Sequence, residues 1–171
     1  MAKDNKIEVW LRGPLQGMPP LVQPVAHALL QAREEVNELM DGFPEILLWV
    51  SVVGLASPGF HLQHLAGVLD RLFTYARGEE LTEHQLQKLN HEGKEPQTGY
   101  GVLTLVEVFN RQVDEALKQL AETNQLTITD KRTVGRAKMP STVLGLYTHA
   151  AEHTMRHVGQ LLVTARVLRG Q

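Results

Sequence analysis

The stretch TVLGLYTHAAEHTMRHVGQLLVTARVLR, Thr142 to Arg169, contains the longest helical pattern in the chain and decides the fold class. Its apolar residues recur with the period of an α-helix that buries one face, and Gly170 follows as a stop signal. The same period runs through about Pro20 to Met40, Pro58 to Gly78 and Gly101 to Glu122. Four long amphipathic stretches with no alternating strand pattern predict an all-α protein built as a four-helix bundle.

The segments between these helices carry weaker signals. Glu79 to Gly99 is polar with room for one short helix, and Leu126 to Met139 is a moderately basic connection, so both are predicted to be solvated loops. The apolar run Ile46 to Val53 is compatible with an extended buried connection, although a run of this length does not separate strand from helix. The length of 171 residues predicts a single domain spanning residues 1–171.

The composition excludes several classes of function. The chain has 17 basic and 19 acidic residues and a net charge of −2, without the basic excess typical of nucleic-acid-binding proteins. It has no cysteine, which rules out disulfides, thiolate zinc sites and a cysteine nucleophile. The start, MAKDNKIEVW, has no apolar signal region, and the run Ile46 to Ala56 is too short to cross a bilayer. We therefore expect a cytoplasmic protein with no nucleic-acid or membrane partner.

Two histidines of the longest helix are candidate metal ligands. His153 and His157 are one helical turn apart, and on a helical wheel they share an arc with apolar residues such as Leu146 and Leu161. An unsatisfied polar ring in a core costs roughly 1–3 kcal/mol, so the pair needs either hydrogen-bond partners or a shared metal ion. His149 lies off this arc by roughly a quarter turn. It is therefore predicted to lie on the surface or behind a ligand.

The stretch GFHLQHLAGVLDRL, Gly59 to Leu72, supplies two candidates for a third ligand, His61 and His64. The helical wheel places His61 nearer the centre of the apolar stripe. The sequence lacks the H-E-x-x-H of zinc proteases and the E-x-x-H of di-iron bundles. What remains is a mononuclear site of three histidines with open positions for water or substrate. Gln160, one turn beyond His157, could orient a ligand or bound water, or could simply pack.

These two histidine stretches, GFHLQHLAGVLDRLFTYARGEEL and TVLGLYTHAAEHTMRHVGQLLVTARVLR, resemble the DinB-like superfamily of DNA-damage-inducible, YfiT-like metalloproteins. The resemblance implies an up-down-down-up four-helix bundle with a long crossover between its second and third helices. It also implies a divalent metal ion, often nickel or zinc, held by three histidines. Carried over by motif position, the metal ligands are His64, His153 and His157. His61 then becomes an alternate ligand or a residue that supports a ligand without contacting the metal. The resemblance also implies homodimerisation.

Characterised members of this superfamily include transferases that use low-molecular-weight thiols such as bacillithiol or mycothiol, and a maleylpyruvate isomerase. The resemblance therefore implies a metal-dependent thiol S-transferase or hydrolase acting on a small-molecule substrate. Its metal would lower the pKa of a bound thiol or water. Arg71, Arg156 and the basic loop Lys131 to Lys138 are candidates for binding an anionic cosubstrate, with ordinary solvated surface charge as the alternative. The competing hypothesis is a non-catalytic metal- or ligand-binding bundle that acts in stress response or as a dimerisation module.

Overall fold

The computed structural model describes residues 7–96 and 99–170. The helices are α1 (Gln23–Met40), α2 (Pro58–Ala76), α3 (Glu83–His91), α4 (Val102–Ala121) and α5 (Val143–Leu168); 3-10 turns occupy Val9–Arg12, Pro20–Val22 and Glu45–Leu47; the strands are β1 (Lys131–Val134) and β2 (Met139–Thr142). The predicted helical class is confirmed, and the four predicted helices correspond to α1, α2, α4 and α5. Residues 1–6, which belong to the start predicted to have no signal region, lie outside the described residues, as do residues 97–98 and 171.

Side-chain caps fix the starts of the two helices that carry the histidines. The Ser57 side chain accepts a hydrogen bond from the backbone N–H of Phe60, and Pro58 occupies the first turn of α2. The Thr142 side chain accepts a hydrogen bond from the Gly145 N–H at 3.0 Å and caps α5. These caps place the histidines at defined heights along both helices.

The four long helices share one apolar core. Helices α1 and α2 each pack against both α4 and α5. Most of the largest fully buried side chains come from these four helices: Leu29, Met40, Leu62, Leu65, Leu69, Phe73, Phe109, Leu120, Leu146 and Leu161. Helices α1 and α4 run in opposite directions, because Asn37 bonds Asn110 while Arg33, one turn earlier on α1, bonds Asp114, one turn later on α4.

A β-hairpin corrects the prediction of a solvated loop over Leu126 to Met139. Strands β1 and β2 pair antiparallel, from Lys131 opposite Thr142 to Val134 opposite Met139. Gly135, at φ +65°, begins the turn in the left-handed region that glycine adopts without strain. The strands have four residues each and are largely exposed. Because the sequence shows no apolar alternation there, it gives no strand signal.

The polar connection after α2 was predicted to be a solvated loop with room for one short helix, and it contains such a helix, α3, docked on α2. Thr82 and Gln85 form a capping box at its start. The buried Gln85 amide also donates to Asp70 Oδ1 and Thr74 Oγ1, both at 2.8 Å. This docking directs the C-terminal end of α3 toward the first half of α2.

The apolar run Ile46 to Val53 is neither a strand nor a buried connection. It starts within a 3-10 turn, Glu45–Leu47, and continues as turns. Leu48 is buried, whereas Ile46 is 85% exposed and Val53 is 95% exposed. Among the described helices, none is long and apolar enough to span a membrane.

Candidate metal centre

Four histidines meet where the beginning of α2 passes the middle of α5. These two helices run in opposite directions, because His61 lies against His157 while Phe73, three turns further along α2, lies against Tyr147. The antiparallel crossing places His64 between His153 and His157. Ligand nitrogens of these three residues all lie within 4.8 Å of one another.

The nitrogen geometry of the cluster suits coordination of one ion. His64 Nε2 lies 2.9 Å from His153 Nε2, and the His157 ring centroid is 4.3 Å from that of His64 and 4.6 Å from that of His153. Two imidazole nitrogens at roughly 2.0–2.1 Å from a common zinc ion would be separated by about 3 Å. The donor set, imidazole without thiolate, suits zinc, nickel, copper or iron.

The second nitrogen of His64 is held by a carboxylate that the sequence did not reveal. His64 Nδ1 lies 2.7 Å from Glu92 Oε2, and Arg71 donates to Glu92 Oε1 at 2.5 Å. Burial alone would raise the pKa of Glu92, but hydrogen bonds from His64 and Arg71 outweigh it and leave this pKa below its ordinary value. An ionised carboxylate only accepts, so His64 donates its Nδ1 proton and keeps the lone pair on Nε2.

Gly67 provides the space for this carboxylate and guanidinium. A Cβ atom at position 67 would lie 2.3 Å from Glu92 Oε1 and 2.6 Å from Arg71 Nη1. The absence of a side chain therefore lets the Glu92–Arg71 pair lie directly against α2, one turn beyond His64. Arg71 was a candidate for binding an anionic cosubstrate, but its guanidinium is buried in this ion pair.

His61 lies beside the three-histidine group rather than within it. Its side chain is buried, and its Nδ1 lies 3.1 Å from Nδ1 of His157. One of these two nitrogens must donate and the other accept, so the contact orients the His157 ring. His153 Nδ1 is buried without a hydrogen-bond partner among the described residues. His153 therefore lacks the hydrogen bond on its second nitrogen that His64 has with Glu92.

His149, Arg156 and Gln160, the remaining predicted residues, are more exposed than His64, His153 and His157. The His149 side chain is half-exposed, and its Nδ1 lies 3.3 Å from Glu152 Oε2. His149, Glu152 and His153 form a second, more exposed group with metal-ligand spacing. Arg156, another candidate for anion binding, forms an ion pair with Glu152. Gln160 is exposed.

The basic hairpin does not adjoin the histidines. Arg132 Nε donates to the Ala76 carbonyl at the C-terminal end of α2, whereas His61 and His64 occupy the first two turns of that helix. The expectation that Lys131 to Lys138 holds an anion near the metal centre is therefore wrong. The cause is the direction of α2, which the spacing of basic residues in the sequence does not report.

Burial favours the neutral form of His61, His153 and His157. Desolvation, followed by the repulsion that a protonated His64 would exert, lowers the pKa of His61 and that of His157 to about 4 each. Desolvation also lowers the pKa of His153. Neutral imidazole is the metal-binding form, so these residues are ready to bind a cation at neutral pH.

The same shifts predict that the metal-free protein loses stability in mild acid. The pKa values of His61 and His157 are about 4 in the folded protein and 6.5 in the reference state, so the unfolded chain binds more protons between these values. The free energy of unfolding should be constant above about pH 6.5 and fall by several kcal/mol at most as the pH drops toward 4, because each full pKa change is worth roughly 3 kcal/mol and solvent screening at half-buried His157 reduces its share. Urea unfolding at several pH values measures this. His61→Gln should reduce the slope, and His84→Gln, which replaces an exposed histidine of α3, should leave it unchanged; equal slopes in all three proteins would contradict the assignment.

Comparisons with known proteins place the chain in a family. The family model of the DinB superfamily matches residues 28–161, so the chain belongs to the DinB superfamily. A crystal structure described as a conserved protein from Enterococcus faecalis is similar in fold, with a TM-score of 0.70 and 16% sequence identity. The similarity covers 88% of this chain and 98% of that one. The comparison with curated proteins found no match.

Proposed function

We propose that His64, His153 and His157 bind one divalent metal ion, nickel or zinc, and that the protein is a metal-dependent thiol S-transferase or hydrolase. The observation that carries this proposal is the convergence of three imidazoles from two helices within 4.8 Å. Membership of a superfamily that typically binds metal supports it. The Glu92 carboxylate on His64 is the kind of support that metal-binding histidines commonly have.

His64, His153 and His157 would hold the ion, and a divalent ion there would lower the pKa of a thiol or water molecule and so supply a nucleophile at neutral pH. The protein's own residues prepare the centre. Glu92 fixes the tautomer of His64, and His61 orients His157. The Phe60 ring stacks on His64, with centroids 5.3 Å apart and planes inclined by 10°, and shields that face of the imidazole from water.

Metal analysis of the purified protein tests the first part of this proposal. We expect about one nickel or zinc ion per chain and a higher melting temperature when the metal is restored after chelation. The second part is tested with a panel of low-molecular-weight thiols and a chromogenic electrophile, alongside a chromogenic ester. Stoichiometric metal without turnover of any pair would favour the non-catalytic metal-binding bundle; absence of both metal and metal-dependent stabilisation would refute the metal centre.

We also infer the up-down-down-up path with a long crossover, here the segment from α2 through α3 to α4. Two sets of contacts support it: α1 is antiparallel to α4, and α2 is antiparallel to α5. Gln119, near the end of α4, donates to the Phe73 carbonyl near the end of α2. Arg169, at the end of α5, donates to the Asp41 carbonyl at the end of α1. On this path the C-terminal ends of α2 and α4 lie side by side, and α5 is parallel to α1. An experimental structure checks the path directly.

A further inference from the structure

A cleft lies far from the histidines. A cleft of about 730 Å³ opens between the C-terminal end of α2, the approach to α3 and the β-hairpin. Half-buried Tyr75, Leu81 and Leu86 supply an apolar floor. Its volume falls within the roughly 300–1,000 Å³ typical of small-molecule pockets. The cleft is therefore large enough for a compound of mononucleotide size.

The acidic residues of this cleft already have counter-charges. Glu79 pairs with Arg77 at 2.8 Å, and Glu80 pairs with Lys138 at 2.6 Å across the mouth of the cleft. Both carboxylates are thus compensated by one cation each. The remaining charges of the lining are all positive.

Three cations of the hairpin have no counter-charge within residues 7–96 and 99–170. Lys131 and Arg136 are exposed and form no ion pair there. Arg132 donates from Nε to the Ala76 carbonyl at 2.8 Å and from Nη1 to the Lys131 carbonyl at 2.9 Å. These neutral acceptors hold the guanidinium in place without cancelling its charge. A fixed guanidinium loses little conformational entropy when it binds an anion.

We propose that this cleft binds a small phosphorylated compound with an aromatic or aliphatic body. Arginine and lysine donate strong, charge-assisted hydrogen bonds to phosphate oxygens, and the floor offers contact area for the rest of the molecule. From His64 to Ala76 the rise along α2 is about 18 Å. The cleft is therefore separate from the metal centre, and the proposal stands whether or not the histidines bind metal.

Fluorescence titration with trinitrophenyl-ATP, on the purified protein without added magnesium, tests the site. We expect saturable binding that ATP reverses at about tenfold lower concentration than pyrophosphate, because pyrophosphate cannot use the apolar floor. The double variant Lys131→Glu/Arg136→Glu should weaken binding by about tenfold or more. The matched control, Arg111→Glu/Lys118→Glu, makes the same charge change on exposed positions of α4 and should stay within about twofold.

Each contrary result overturns the proposal. Equal weakening by the two double variants would mean that the probe senses overall charge rather than the cleft. Absence of saturable binding would mean that no site exists. Displacement by citrate as effective as displacement by ATP would mean that the cleft recognises carboxylates and not phosphate.

Discussion

His64→Ala should lose bound nickel or zinc, with an affinity at least about 100-fold below that of the parent protein. His64 is the ring between His153 and His157, and its second nitrogen lies against the Glu92 carboxylate. Its removal deletes one of the three proposed ligands and leaves Glu92 and Arg71 without their connection to the histidine cluster. Loss of a residue that hydrogen-bonds to a metal ligand already costs roughly 10–100-fold in metal affinity, so loss of a ligand itself should cost more. Competition with a chromogenic chelator measures the affinity.

Two further histidine variants make this experiment specific. His149→Ala removes a half-exposed ring that pairs with Glu152, and it should retain the parent affinity within about threefold. His61→Ala removes the contact to His157 Nδ1 and should weaken binding by about tenfold, as expected for a residue behind a ligand. If His61→Ala lost the metal and His64→Ala kept it, His61 would be the ligand that α2 supplies.

Gly67→Ala should disrupt the metal centre without touching a histidine. The new Cβ would overlap Glu92 Oε1 at 2.3 Å and Arg71 Nη1 at 2.6 Å, so the carboxylate and the guanidinium must move away from α2. We expect metal affinity to fall by about 10–100-fold, because His64 loses its acceptor. The free energy of unfolding should fall by up to about 2 kcal/mol, because disturbing the buried ion pair costs roughly 1–3 kcal/mol and replacing a helical glycine by alanine offsets about 0.5–1 kcal/mol of it. Chelator competition and urea unfolding measure the two effects.

A matched glycine and a matched glutamate variant separate these causes. Gly159→Ala, also within a helix, adds a methyl group where no atom lies within 4 Å, and it should stabilise the protein by about 0.5–1 kcal/mol without changing metal affinity. Glu92→Gln keeps the volume but removes the charge, and should reproduce most of the affinity loss. Parent-like affinity in Gly67→Ala would show that Glu92 does not support the metal centre.

The helices could be predicted because their signals are local. Apolar residues at the helical period and the caps at Ser57 and Thr142 place α2 and α5 close to the predicted bounds. The hairpin could not be predicted, since strands of four largely exposed residues contain no alternation of apolar side chains. The exposure of Ile46 and Val53 could not be predicted either, because apolar composition alone favours burial.

For the candidate site, too, local features could be predicted from the sequence and contacts between helices could not. By itself the sequence determined that His153 and His157 share one helix face, because a separation of four residues is fixed by the helical repeat. Only the tertiary structure decided that His64 lies between them with His61 beside His157, since this depends on the crossing of α2 and α5. It also decided that Glu92 reaches His64 from the end of α3 and that Gly67 makes room for it. Those contacts join residues that are far apart in sequence. They depend on how the helices dock against one another, which no local sequence period encodes.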